Sequence, residues 1–139
     1  MRRLLLLGML SASLLFLGGS CDDECGDIFF DCDCEYPDPP SHGFLTLELF
    51  WDGATPIPVE IYEGKDIENG HFLFADTLEL AVVDYLMPPG KYAAIARYVS
   101  GRDTILAVDG DEIEVNKDGD SCCECYQVKD ATLDLRLVR

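Results

Sequence analysis

Positive charge is what this chain has least of. Ten lysines and arginines stand against 27 aspartates and glutamates in 139 residues, a formal net charge of −17. Phosphate recognition depends on Lys and Arg, so the charge disfavours nucleic acid and anionic head groups as partners. Histidine is almost missing, with only His42 and His71. Beyond the first twenty residues the serines are Ser41, Ser100 and Ser121, and none stands in a nucleophile-elbow pattern. No catalytic residue is expected from such a set. Nor does any stretch carry the 3.6-residue apolar period of a long amphipathic helix. Beyond residue 20 there is also no apolar run approaching 18 residues, which leaves no candidate for a membrane-spanning helix there.

What is present begins with an address. Arg2 and Arg3 precede Leu4–Cys21, LLLLGMLSASLLFLGGSC, an apolar run that ends in small residues. That pattern predicts a secretory signal over residues 1–20, removed before folding. Its loss takes away two arginines and no acid, so the remaining chain is more acidic still. The segment Leu17-Gly18-Gly19-Ser20-Cys21 resembles a bacterial lipobox, with Gly18 where a large aliphatic residue is usual. The resemblance implies a lipid on Cys21 and a membrane anchor there. Plain secretion with one spare thiol is the alternative. The three acids that follow, Asp22-Asp23-Glu24, resemble the surface-export signal of Bacteroidota lipoproteins. They imply the outer membrane, facing outward, and they also serve as a solvated tether.

Residues 21–43 form an acidic, Cys- and Pro-rich tether. Pro37, Pro39 and Pro40 favour a stiff, extended connection. Ile28-Phe29-Phe30 is its one apolar patch and is expected to pack on the domain. The seven cysteines fall into an isolated Cys21 and two clusters, Cys25, Cys32 and Cys34 in the tether and Cys122, Cys123 and Cys125 near the C-terminus. With Cys21 lipidated, six remain, an even set that permits 15 connectivities. Close neighbours bond each other with strain, so bridges are expected mainly between clusters, stapling the tether beside the C-terminal strands. A soft-metal thiolate site is the competing reading.

Residues 44–139 alternate with period two, the mark of half-buried strands. Leu45, Leu47, Leu49 and Trp51 share one face of a first strand, and Ile57, Val59 and Ile61 one face of a second. Pro58 places that second strand at a sheet edge. Phe72 to Val82 keeps one parity with Asp76 interrupting it, which predicts two short strands. Lys91–Val99 is read as strand rather than helix. Thr104–Val108 and Glu112–Val115 read as a hairpin around Asp109-Gly110. A final strand carries Leu133, Leu135 and Leu137 inward. Some seven to nine strands with frequent turns predict an all-β, antiparallel Greek-key sandwich.

The stretches Thr55-Pro56-Ile57-Pro58-Val59-Glu60-Ile61-Tyr62 and Tyr85-Leu86-Met87-Pro88-Pro89-Gly90-Lys91-Tyr92 resemble prealbumin-like modules, the transthyretin-like and carboxypeptidase-regulatory-like domains. In those a V-x-I strand is followed by an L-x-P-G-x-Y turn. The Asp-Gly-x-Tyr-x-Phe stretch common before that turn is absent here. The resemblance, over about residues 44–99, implies a structural or binding unit and transfers no catalytic residue.

One further constellation is acidic, in loops 109–120: Asp109, Asp111, Glu112, Glu114, Asn116, Asp118 and Asp120. An EF-hand alignment fails, because its twelfth position falls on Cys125. An irregular calcium site from Asp109, Asp111, Asp118 and Asp120 is one reading, and solvated hairpin loops are the other. The aromatics Trp51, Tyr62, Tyr85, Tyr92 and Tyr98 divide in the same way, between a sugar- or peptide-binding face and sandwich core. The chain is therefore expected to be an anchored interaction or structural module, its partner an envelope protein, a glycan or a host ligand. A calcium-binding exported protein is the alternative.

Overall fold

A computed structural model describes residues 34–118 and 124–137. The chain is all-β there. Eight strands follow in order: β1 (Gly43–Glu48), β2 (Ile57–Glu63), β3 (His71–Leu78), β4 (Val82–Met87), β5 (Gly90–Ser100), β6 (Asp103–Asp118), β7 (Cys125–Lys129) and β8 (Ala131–Asp134). They make a three-stranded sheet, order β4-β1-β8, and a five-stranded sheet, order β3-β2-β5-β6-β7. Signal, lipidation site and the Ile28-Phe29-Phe30 patch lie outside the described residues.

The core between the sheets follows from alternation. Leu45 and Leu47 of β1 with Ala131 and Leu133 of β8 come from one sheet, and Leu49 and Leu135 continue those two runs just past the strand ends. They meet Val59, Ile61, Tyr92, Ala94, Ala96, Tyr98 and Ile113 of the other. Tyr92 and Tyr98 are core, and Trp51 and Tyr85 pack partly buried against it, while Tyr62 faces outward. Burying each large apolar side chain contributes about 1.5–3 kcal/mol. Short alanines along β5 let the sheets approach.

Four expectations need correction, each for a local physical reason. The sandwich is not wholly antiparallel, since β8 runs parallel to β1. A single residue, Asp130, separates β7 in one sheet from β8 in the other, and Asp130 Oδ1 accepts the Phe44 N–H at 2.7 Å. The chain thus changes sheet without reversing. Second, β3 is continuous through Asp76, and the next strand starts only at Val82. Asp76 stands opposite core-facing Val59, yet its Oδ2 accepts the Tyr85 O–H of β4 at 2.7 Å. The acid closes that side of the sandwich rather than breaking the strand. Burial and this bond push the Tyr85 phenol well above its ordinary pKa.

Third, β2 lies inside its sheet, between β3 and β5. Pro58 is tolerated because pairing with β5 begins only at Val59. Fourth, Asp109-Gly110 is no turn. β6 runs unbroken through it, with Asp109 opposite Ala94 and Gly110 opposite Ala93. The hairpin turns earlier, between β5 and β6, where Gly101 takes a φ of 67°. Gly110 is required by close approach, since a Cβ there would sit 2.5 Å from the Lys65 carbonyl oxygen. Gly110→Ala is therefore expected to cost about 1–3 kcal/mol in urea unfolding, the usual range for overpacking. An unchanged midpoint would show that the 64–70 loop yields freely.

Candidate binding site

The tether is fastened where the five-stranded sheet ends. Cys34 and Cys125 form a disulfide, with Cα atoms 5.4 Å apart and a sequence separation of 91. Beside it the Tyr126 N–H donates to the Tyr36 carbonyl at 2.9 Å, so the tether adds one bridge to the outer edge of β7. This bridge joins one cysteine of each cluster. Cys21, Cys25, Cys32, Cys122 and Cys123 lie outside the described residues.

The acidic positions are not gathered into one site. Asp109 and Asp111 sit on the core-facing parity of β6, opposite Ala94 and Tyr92. Asp109 Oδ2 accepts the Asp134 N–H at 2.8 Å and Asp111 Oδ2 accepts the Thr132 N–H at 2.9 Å. These are alternate N–H groups on the free side of edge strand β8, whose other side pairs with β1. Two carboxylates at i and i+2 thus stand in for a missing strand. Asp118 lies seven residues further along β6, roughly 23 Å at ~3.3 Å per residue, and accepts from the Gln127 amide. Asp120 is outside the described residues. Among those described, no three His, Cys, Asp or Glu side chains come together as a metal site.

Asp109→Ala with Asp111→Ala should lower stability by about 1–3 kcal/mol, two hydrogen bonds at about 0.5–1.5 each. The paired asparagine changes keep an acceptor and should cost less than half as much. A native chain whose melting temperature climbs steeply with calcium would contradict this structural assignment.

Beyond these acids, Asp134 is gripped by Arg136, whose Nε and a terminal nitrogen reach its two oxygens at 2.8 and 2.7 Å. That grip holds the Asp134 carboxyl at about 2.

Two features remain that can bind. One is the outer face of the five-stranded sheet. Register places Glu60, Ile95 and Val108 in one row and Tyr62, Ala93 and Gly110 in the next, with Arg97 opposite Leu106. Phe72 of β3 packs edge-on against Tyr62, centroids 5.7 Å apart. Phe72 is 50% exposed, Leu106 52% and Val99 70%, whereas Ala93 and Ile95 are buried and the 64–70 loop lies over Gly110. The central charges of the face cancel: Glu60 accepts from Arg97 at 2.8 Å and from the Tyr62 hydroxyl at 2.7 Å. The Tyr62 bond first, then Arg97, holds the Glu60 carboxyl below its usual range. An almost neutral, partly apolar face stands out on so acidic a chain.

The other feature is a cavity of about 370 Å³ at the end of the sandwich, between the β1–β2 connection and the last residues of β5. Tyr98 forms part of its wall, donating to the Leu135 carbonyl at 2.8 Å and accepting from the Phe50 N–H at 3.1 Å. Burial raises its phenol pKa. Asp52 stands at the rim, its carboxylate accepting the Ala54 and Thr55 N–H groups at 2.9 and 3.0 Å, which lowers its pKa.

No family model, curated protein or solved structure matches the chain. Sequence reading named neither the cavity nor the outer face. The available signal was Ile105-Leu106-Ala107-Val108, apolar on both parities, which implies a strand with something to contact on each side.

Proposed function

We propose that this protein is an exported lipoprotein, anchored through Cys21 at the outer membrane and probing its surroundings with a non-catalytic β-sandwich interaction module. The observation that carries the reading is the outer face of the five-stranded sheet, where Phe72, Val99, Leu106 and Val108 expose apolar surface beside Tyr62 and a neutralised Glu60–Arg97 pair. The Cys34–Cys125 bridge supports an oxidising compartment. A prealbumin-like Greek key is supported by where its motif residues stand. Val59-Glu60-Ile61 and Gly90-Lys91-Tyr92 lie on neighbouring strands, and the Tyr92 hydroxyl closes the Pro88-Pro89 turn by donating to the Pro88 carbonyl at 2.7 Å. The partner that suits such a face is another protein, since burial of apolar area is what it offers.

The test places a benzophenone amino acid at Leu106 and, separately, at Thr132 on the other sheet, in cells carrying the full chain. One discrete adduct from position 106, abolished by Val108→Glu and absent from position 132, is expected. Equal background from both positions would remove the reading.

A further inference from the structure

The end cavity runs along a strand edge that no described strand covers. β5 pairs with β6 along its whole length, from Gly90 to Ser100, but with β2 only from Tyr92 to Ala96. No described strand pairs with the other side of Arg97–Ser100. The chain that could have done so carries Pro56 and Pro58, neither of which has an N–H to donate. It instead forms the opposite wall of the cavity, through Thr55 and Pro56, while Phe50, Ile105 and Leu137 supply apolar lining. The result is a slot with main-chain hydrogen-bonding groups on one wall and apolar side chains around it.

Charge selects the occupant further. Arg97 is already paired with Glu60, and Asp52 accepts two main-chain N–H groups but pairs with no cation among the described residues. The slot is therefore net negative. We infer that it receives an extended peptide segment of a partner protein, which pairs with the Arg97–Ser100 edge as an added strand. Four residues at ~3.3 Å each span about 13 Å of edge. The apolar side chain of the segment sits against Phe50 and Ile105, and a basic residue beside it meets Asp52. A volume of about 370 Å³ lies at the lower end of the range for ligand sites, which suits one large side chain and its flanking main chain. This inference rests on the interaction-module reading, though not on lipidation, and gives that module a specific docking mode.

The test titrates the isotope-labelled chain with acetyl-Thr-Val-Lys-Val-Thr-amide and follows main-chain amide resonances by NMR. Shifts concentrated at Arg97–Ser100 and Asp52 are expected, with at least tenfold weaker binding of the peptide carrying Glu for Lys. N-methylation of both valines should weaken binding at least tenfold, because it removes strand pairing and leaves the side chains. Asp52→Asn keeps the acceptor for Ala54 and Thr55 and should erase the preference for Lys over Glu. Ile105→Glu, at a half-exposed position, should block the slot. Shifts scattered over the surface, none at Arg97–Ser100, or undiminished binding of the N-methylated peptide would overturn the inference. A discrete adduct at position 106 without any response in the slot would retain the interaction module and remove this docking mode.

Discussion

A Leu133→Ala chain is expected to lose about 2–5 kcal/mol of unfolding free energy, the range for deleting a fully buried leucine. Leu133 has no exposed surface and stands opposite Leu47 in the parallel β1–β8 pair. Its strand has only four residues and one neighbouring strand, so other contacts cannot take up the loss. The side chain is part of the core between the sheets, and β8 is held to the large sheet by the Asp109 and Asp111 contacts to Asp134 and Thr132 respectively, which restrict its collapse into the space left. Domains of this size are stable by only about 5–15 kcal/mol in all. Val99→Ala, at an exposed position, should stay within about 0.5 kcal/mol and serves as the control. Equal effects from the two would mean that the β8 edge is not part of the cooperative core.

Replacing Cys34 and Cys125 together by serine is expected to cost about 2–4 kcal/mol. The bridge closes a loop of 91 residues, so most of the loss arises in the unfolded chain, which gains freedom when the link is cut. A local consequence accompanies it. Without the bridge, the single main-chain bond from Tyr126 to Tyr36 holds the tether against β7, and that edge should show faster amide exchange at Tyr126. Changing both cysteines avoids a lone thiol that could exchange with the others. A double variant with native stability and native exchange at Tyr126 would show that the tether is not fastened there.

The all-β class and the core were legible because alternation is a direct consequence of strand geometry. Leu45 and Leu47, Ile57, Val59 and Ile61, and Leu133 and Leu135 all face inward as their parity requires. What misled was one device used three times. Asp76, Asp109 and Asp111 occupy core-facing positions, where an acid looks like a strand break, a turn or a metal ligand. Each lies instead at a flank of the sandwich and binds across to the other sheet: Asp76 to the Tyr85 hydroxyl on one side, Asp109 and Asp111 to β8 on the other. Nothing in a single sequence says which strands stand at the flanks, so parity alone could not reveal it. Gly110 misled likewise. Next to Asp109 it reads as a turn pair, and the Lys65 carbonyl that demands a glycine there comes from a loop 45 residues earlier. The cavity was hidden for a related reason. It exists because β2 pairs with β5 only between Val59 and Glu63, leaving Arg97–Ser100 beyond the pairing, a fact of register between distant segments that composition does not encode.

The measurement that tests the account most directly is the intact mass of protein recovered from its native membrane, alkylated with and without prior reduction. A chain starting at Cys21 with a diacyl or triacyl increment is expected, with six thiols that appear only after reduction. An unlipidated mass, or thiols that react without reductant, would contradict it. Free thiols would return the cysteine clusters to the metal reading, with metal analysis to follow.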